Sequence, residues 1–215
     1  MKRIMTVLAA IAFAATPVAA QWAGMPVWNS PKGGTGVTIS GDFASNNPDA
    51  GGGSAFGARA SVGIGTLSLT AGLASYDSDV ATDKITSFGA TAGFRVIGGS
   101  LLPVSLNLQA GVGRTGDVKT PIDTAAVTTL TGSVGVGVSV PTPGISIEPY
   151  LSLGIRRYSA GGTNDSNFGW TLGANASFGM IGLHVAYDSE SQGGGSTAGI
   201  FGVGVHISLK APIGM

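Results

Sequence analysis

The stretch VSLNLQAGVG, residues 104–113, sets Val104, Leu106, Leu108, Ala110 and Val112 on one face and Ser105, Asn107, Gln109 and Gly111 on the other. A repeat of two is that of a β-strand, because an α-helix brings side chains back to one face only every ~3.6 residues. The same alternation returns in GVTISGDF, SAFGARASVGI, TLSLTAGLAS, SFGATAGFRV, LTGSVGVGVSV, ISIEPYLSLGIRR, FGWTLGANASF, IGLHVAYD and GIFGVGVHISL. In each, aliphatic or aromatic residues share one face and Ser, Thr, Gly or a charge the other. The chain is therefore expected to be all-β, with about ten strands between residues 34 and 209. Pro149 weighs mildly against a central position for its strand, since it cannot donate to a ladder.

The connections alternate in length. SNNPDAGGG, YDSDVATDKIT, RTGDVKTPIDTAA, SAGGTNDSN and SESQGGGST are long and polar, whereas Gly63–Gly65, GGSLLP, PTPG and Gly179 are tight. Such a rhythm predicts an up-and-down antiparallel barrel with long loops on one rim and short turns on the other. Ten strands are expected, with eight the alternative.

Two solvents suit this pattern: a soluble barrel hides its apolar face inside, and a membrane barrel turns it to lipid. Glycines such as Gly57, Gly89, Gly111, Gly113, Gly135, Gly173, Gly202 and Gly204 crowd the polar face. They would cover a soluble surface poorly but suit a narrow interior. Phe43, Phe56, Phe88, Phe168, Trp170, Tyr187 and Phe201 all fall on the apolar face near the long-loop rim, as an interfacial girdle requires, with Phe94 and Phe178 toward the other rim.

Lys2 and Arg3 precede an apolar run ending in Val18 and Ala20, which predicts a cleavable export signal over 1–20. Residues 21–33 are expected as a periplasmic N-terminal segment, 34–209 as the barrel and 210–215 as a tail. Without the signal the chain carries nine Lys+Arg against eleven Asp+Glu, so no nucleic-acid partner is indicated. There is no cysteine, hence neither a disulfide nor a lipoprotein anchor.

Export signal, strand periodicity and loop rhythm together make Gly34–Leu209 resemble the small meander-type outer-membrane β-barrel proteins of diderm bacteria. The resemblance implies a place in the cell outer membrane, with outer-membrane lipids and the barrel-assembly machinery as partners. It leaves function open, because such barrels include passive pores, adhesins, envelope-stabilising proteins and a few enzymes. The ending HISLKAPIGM lacks the terminal aromatic residue common in such proteins.

Strand parity turns Asp42, Arg59, Arg95, Glu148, Arg156 and Asp188 inward, with Asn107, Gln109, Asn175, His184 and His206. Opposed charges in a narrow interior compensate one another, so Asp42, Arg59, Arg95, Glu148, Arg156, His184 and Asp188 form the candidate lumen network. Passive passage of ions or very small solutes is one expected activity, and a non-conducting envelope-binding or adhesion module using acidic exterior loops is the alternative. Asp49, Asp77, Asp79, Asp83, Asp117, Asp123, Asp165 and Glu190 are assigned to those loops. His184 and Asp188 are four strand positions apart, about 13 Å, too far for direct acid–base work, and no enzyme is expected. Two distant histidines suggest no metal site, and the GGG strings lack the Lys and helix of a phosphate loop, so no cofactor is expected.

Overall fold

The computed structural model describes residues 21–99, 102–119 and 124–209. The expected signal, the tail and Asp123 lie outside them. The strands are β1 (Gly36–Asn46), β2 (Ser54–Ile64), β3 (Leu67–Asp77), β4 (Ile85–Gly99), β5 (Leu102–Lys119), β6 (Thr124–Val138), β7 (Val140–Thr142), β8 (Ile145–Ala160), β9 (Thr163–Phe178), β10 (Ile181–Ser191) and β11 (Thr197–Leu209). All pairings are antiparallel between neighbours, and β1 closes on β11 from Val37↔Leu209 to Asn46↔Ile200. The short β7 prolongs β6, so the chain forms a closed up-and-down barrel of ten staves rather than eight.

Proline explains the interruption between β6 and β7. Pairing of β6 with β8 stops at Gly137↔Tyr150 and resumes in β7 at Val140↔Ile147, and Pro149, which has no N–H, lies in the gap. Ser139 instead donates its N–H to the Pro103 carbonyl on the β5 side, at 2.6 Å. Pro143–Gly144 then makes the turn into β8, with Gly144 at φ +80°, the conformation that a turn with proline ahead of glycine requires.

Two segments expected as loops are largely strand. β5 runs to Lys119 and β6 starts at Thr124, while β8 and β9 pair as far as Ala160↔Thr163 and turn through Gly161 and Gly162, both at positive φ. Primed two-residue turns need φ > 0 at both centres, and two glycines supply it without strain. These hairpin ends are polar because they project beyond the aromatic ring into water, and polarity had marked them as loops.

The outer face is apolar. Ile39 is 59% exposed and Leu69 64%, and Leu73, Ile155, Leu172, Leu183 and Val205 are likewise exposed, an arrangement tolerable only against lipid. Register places Phe43 beside Phe56, Leu73 beside Phe88, Ile155 beside Phe168 and Tyr187 beside Phe201, so the rings stand at similar heights around the long-loop end. The Phe43–Phe56 and Trp170–Tyr187 centroids are 5.0 and 5.7 Å apart.

The segment 21–33 does not stay at the short-turn rim where the sequence placed it. Ser30 and Gly33 are exposed there; Gln21–Trp28, Asn29 and Pro31 are almost wholly buried inside the barrel. With two tryptophans, a methionine and two prolines among few charges, this stretch gains far more by filling an enclosed space than by lying in water. Around it the upper interior is an apolar core of Ala44, Ala55, Ala74, Tyr76, Ile85, Ala186, Ala198 and Ile200. The β1–β2 loop caps that core, Tyr76 donating from its hydroxyl to the Ala50 and Gly52 carbonyls.

Candidate functional site

The lumen is shaped by glycine. A Cβ at Gly113 would lie 2.0 Å from the Gln21 carbonyl oxygen, one at Gly202 2.6 Å from Pro26 and 2.9 Å from the Trp28 ring, and one at Gly135 2.6 Å from Asn29. The inward glycines of the sequence therefore make room for the N-terminal segment, which acts as a plug. Its path climbs from Lys32, at the short-turn rim, past Trp28 to Gly24 beneath the cap. There Gly24, at φ +68°, turns it back so that Gln21 rests against β4 and β5.

Glycine also lets charged side chains reach across an intervening strand. Arg156 of β8 lies over Gly169 of β9 and meets Asp188 of β10 through two bonds, Nη1–Oδ1 at 2.6 Å and Nη2–Oδ2 at 2.7 Å. Nη1 also reaches Glu190 at 2.9 Å. The carboxylates are completed by Thr171 Oγ1 and the Val27 N–H on Asp188, and by the Tyr158 hydroxyl and Asn167 amide on Glu190. Glu190 is buried, not on an exterior loop as its neighbourhood of polar residues suggested. It lies two residues beyond Asp188, hence on the same inward face, and that parity was the available signal.

A second cluster joins β1, β2, β10 and β11. Arg59 grips Asp42 through Nε–Oδ2 at 2.6 Å and Nη2–Oδ1 at 3.0 Å, and His184 Nε2 is 2.6 Å from Asp42 Oδ1. Gly204 lies between β10 and β1 and leaves the space that His184 and Asp42 share. The two histidines, expected to be distant, are in contact: His184 Nδ1 and His206 Nδ1 are 3.2 Å apart, and Ser177 Oγ is 3.3 Å from His206 Nε2. A two-residue offset across paired strands brought them together. Trp28 of the plug packs edge-on to His184 at 4.7 Å and lies under the Arg59 guanidinium at 4.9 Å.

Glu148 is paired with Lys32 of the plug and also accepts from Ser146, a partnership the sequence did not indicate because Lys32 was placed outside the barrel. Among the described residues Arg95 meets no carboxylate; it donates to the carbonyls of Lys32, at 2.5 Å, and Gly65, at 3.2 Å. The seven residues of the expected network thus divide into an Arg156–Asp188 group, an Asp42–Arg59–His184 group, Glu148 on the plug lysine, and Arg95 on backbone. Replacing Arg95 by leucine is accordingly expected to leave barrel folding nearly unchanged, within about 1 kcal/mol, while exposing the Lys32–Gly33 bond to trypsin. Gel mobility of the folded form and the rate of cleavage at Lys32 check this.

His184 is bound to Asp42 and not to Asp188, and both lie beneath Trp28 and the plug. Among the described residues no group of three His, Asp or Glu side chains is arranged to hold a metal ion. The cleft between the plug, β6, β8 and β9 leaves about 10 Å³, and that beside Lys32 and Glu148 about 0 Å³, at or below the ~10–15 Å³ one water needs.

A closed antiparallel barrel with exposed aliphatics outside, an aromatic ring and a buried polar interior defines the class: the chain has the architecture of a small outer-membrane β-barrel. No family model and no curated protein matches the chain. Among solved structures it is similar to the β domain of the Bordetella autotransporter BrkA, at 14% identity over 83% of this chain and 100% of that one, with a TM-score of 0.52. The N-terminal β-barrel domain of Pseudomonas aeruginosa OprF is 10% identical over 82% and 99% of the two chains, TM-score 0.42. The translocator domain of the autotransporter NalP from Neisseria meningitidis is 15% identical over 82% and 89%, TM-score 0.43. The likeness at these identities is one of fold.

Proposed function

We propose that this protein is a sealed outer-membrane barrel that does not conduct in its resting form and works through the surface it presents outside the cell. The observation that carries this reading is the plug: Gln21–Asn29 and Pro31 are buried in the lumen, and the two clefts described beside them are no larger than one water needs. Passive passage of ions or small solutes, the expectation of an empty ten-stranded lumen, would require the plug to leave.

The second half of the reading, an exterior binding role, is favoured by the projecting hairpins. Beyond Ile155↔Phe168, β8 and β9 continue paired for five more positions on each strand, about 16 Å at strand rise, carrying exposed Arg157, Asn164, Asp165 and Ser166. A rigid ladder holds such side chains at fixed spacing, as an adhesive or envelope-binding surface needs. With the acidic loops alongside, the chemistry suits cationic or cation-bridged envelope components.

The test is reconstitution of the intact chain in a planar bilayer. Insertion without steady conductance is the expected outcome, verified by folded-form mobility in the same sample. A constant ion current through well-folded barrels would overturn the sealed reading and return passive transport to the lead.

A further inference from the structure

The plug is inside the barrel without belonging to its sheet. It contributes one bridge residue, Ala23, and no strand, and its own backbone hydrogen bonds include Met25 N–H to Trp22 and Gly33 N–H to Ser30. Wall side chains do most of the holding: Thr131, Ser152 and Asn107 meet the Gln21 and Asn29 side chains, and five others address the main chain. Ser87 Oγ accepts from the Ala23 N–H at 2.9 Å, and Asp188 Oδ2 from the Val27 N–H at 3.1 Å. Asn46 donates to the Gly24 carbonyl at 3.1 Å, Gln109 to Trp28 at 3.4 Å and Arg95 to Lys32 at 2.5 Å.

Five wall side chains reading peptide groups along one segment are how a receptor binds a peptide; a stave would be held by ladder bonds instead. Sequence selectivity comes from two anchors. Trp28 fills the space between Arg59, His184 and Gly202, and Lys32 pairs with Glu148. The match is also incomplete. The indole N–H groups of Trp22 and Trp28, Gln21 Oε1 and Asn107 Oδ1 are buried without a hydrogen-bond partner among the described residues, and unsatisfied groups of this kind favour release of the segment over permanent integration.

We propose that the lumen is a peptide-binding channel whose ligand is a segment with the Trp28 and Lys32 anchors, and that residues 21–33 are its exchangeable occupant, entering from the short-turn rim. This rests on the sealed-barrel reading but adds recognition in trans. Gly33 and Gly34 are exposed at that rim, so the tether can be cut without touching the wall.

The experiment inserts a specific protease site between Gly33 and Gly34 of the full chain, with the same insertion between Gly34 and Thr35 as a second variant should the first fail to assemble. After folding and cutting, a labelled synthetic peptide of residues 21–33 is added. The freed segment is expected to remain with the barrel and to be replaced by the labelled peptide, saturably. A peptide carrying Trp28→Ala should bind at least tenfold more weakly and a scrambled peptide not at all. Loss of the segment with no uptake of the labelled peptide, retention without any exchange, or equal uptake of the scrambled peptide would each overturn the proposal. Conductance recorded before cutting separates the two readings: current through the uncut chain sinks the sealed barrel, whereas failed exchange in a silent barrel sinks the peptide site alone.

Discussion

Replacing Arg156 by leucine is expected to destabilise the barrel by about 3–5 kcal/mol, the cost of leaving a buried ion group without its countercharge. Asp188 and Glu190 are each 1% exposed, and Arg156 is the cation that meets both. Without it the Thr171, Tyr158 and Asn167 donors remain, but they are neutral and cannot offset two carboxylates so close together. The triple variant Arg156→Leu, Asp188→Asn, Glu190→Gln should recover most of the loss, because it removes the uncompensated charge and keeps shape. Lys84→Ala is the comparison: its pair with Asp77 is 68% and 65% exposed, so less than about 1 kcal/mol is expected. Urea titration in lipid, read by folded-form mobility, gives all three values. A loss for Arg156→Leu no larger than that for Lys84→Ala would mean that the group is not a buried ion cluster.

Gly202→Val is expected to open the barrel. The glycine faces Pro26 and the Trp28 ring at distances that leave no room for a Cβ, so a branched side chain there collides with the plug and not with the neighbouring staves. Valine itself suits a strand. Overpacking of this kind costs about 1–3 kcal/mol, which raises the fraction of time the plug is displaced by roughly 5- to 150-fold. Stepwise current in a planar bilayer should appear where the unaltered chain is silent. Gly41→Val is the control, since its Cβ points to open space on the lipid face, and it should stay silent. Of the wall charges described, Asp42, Glu148, Asp188 and Glu190 outnumber Arg59, Arg95 and Arg156 once Lys32 leaves with the plug, so the open form should prefer cations weakly. A silent Gly202→Val barrel with normal folding would show that the plug tolerates the added side chain or that its displacement opens no path.

Much of this architecture was legible in the sequence. Alternation with a period of two assigns each side chain to a face locally, so the strands, the lipid-facing aliphatics, the girdle from Phe43 to Phe201 and the inward direction of Asp42, Arg59, Arg156, His184 and Asp188 all followed from parity. Loop rhythm gave the up-and-down connection, since a short turn can join only antiparallel neighbours. Parity was also enough to have brought Glu190 inside, had its polar neighbours not suggested a loop.

Which inward residues meet depends on register and on what lies between them, and these are properties of the closed barrel. His184 reaches Asp42 because β10 and β1 flank β11 and Gly204 leaves a gap; nothing along the chain connects positions 42 and 184. The β10–β11 register made the histidines neighbours, and the position of the plug put the Lys32 carbonyl against Arg95. The plug was the least legible part, since QWAGMPVWNSPKG has no periodicity and reads alike as a rim segment or a filling. Only a finished barrel creates the enclosed, glycine-lined space in which burying Trp22, Met25 and Trp28 outweighs the cost of ordering them.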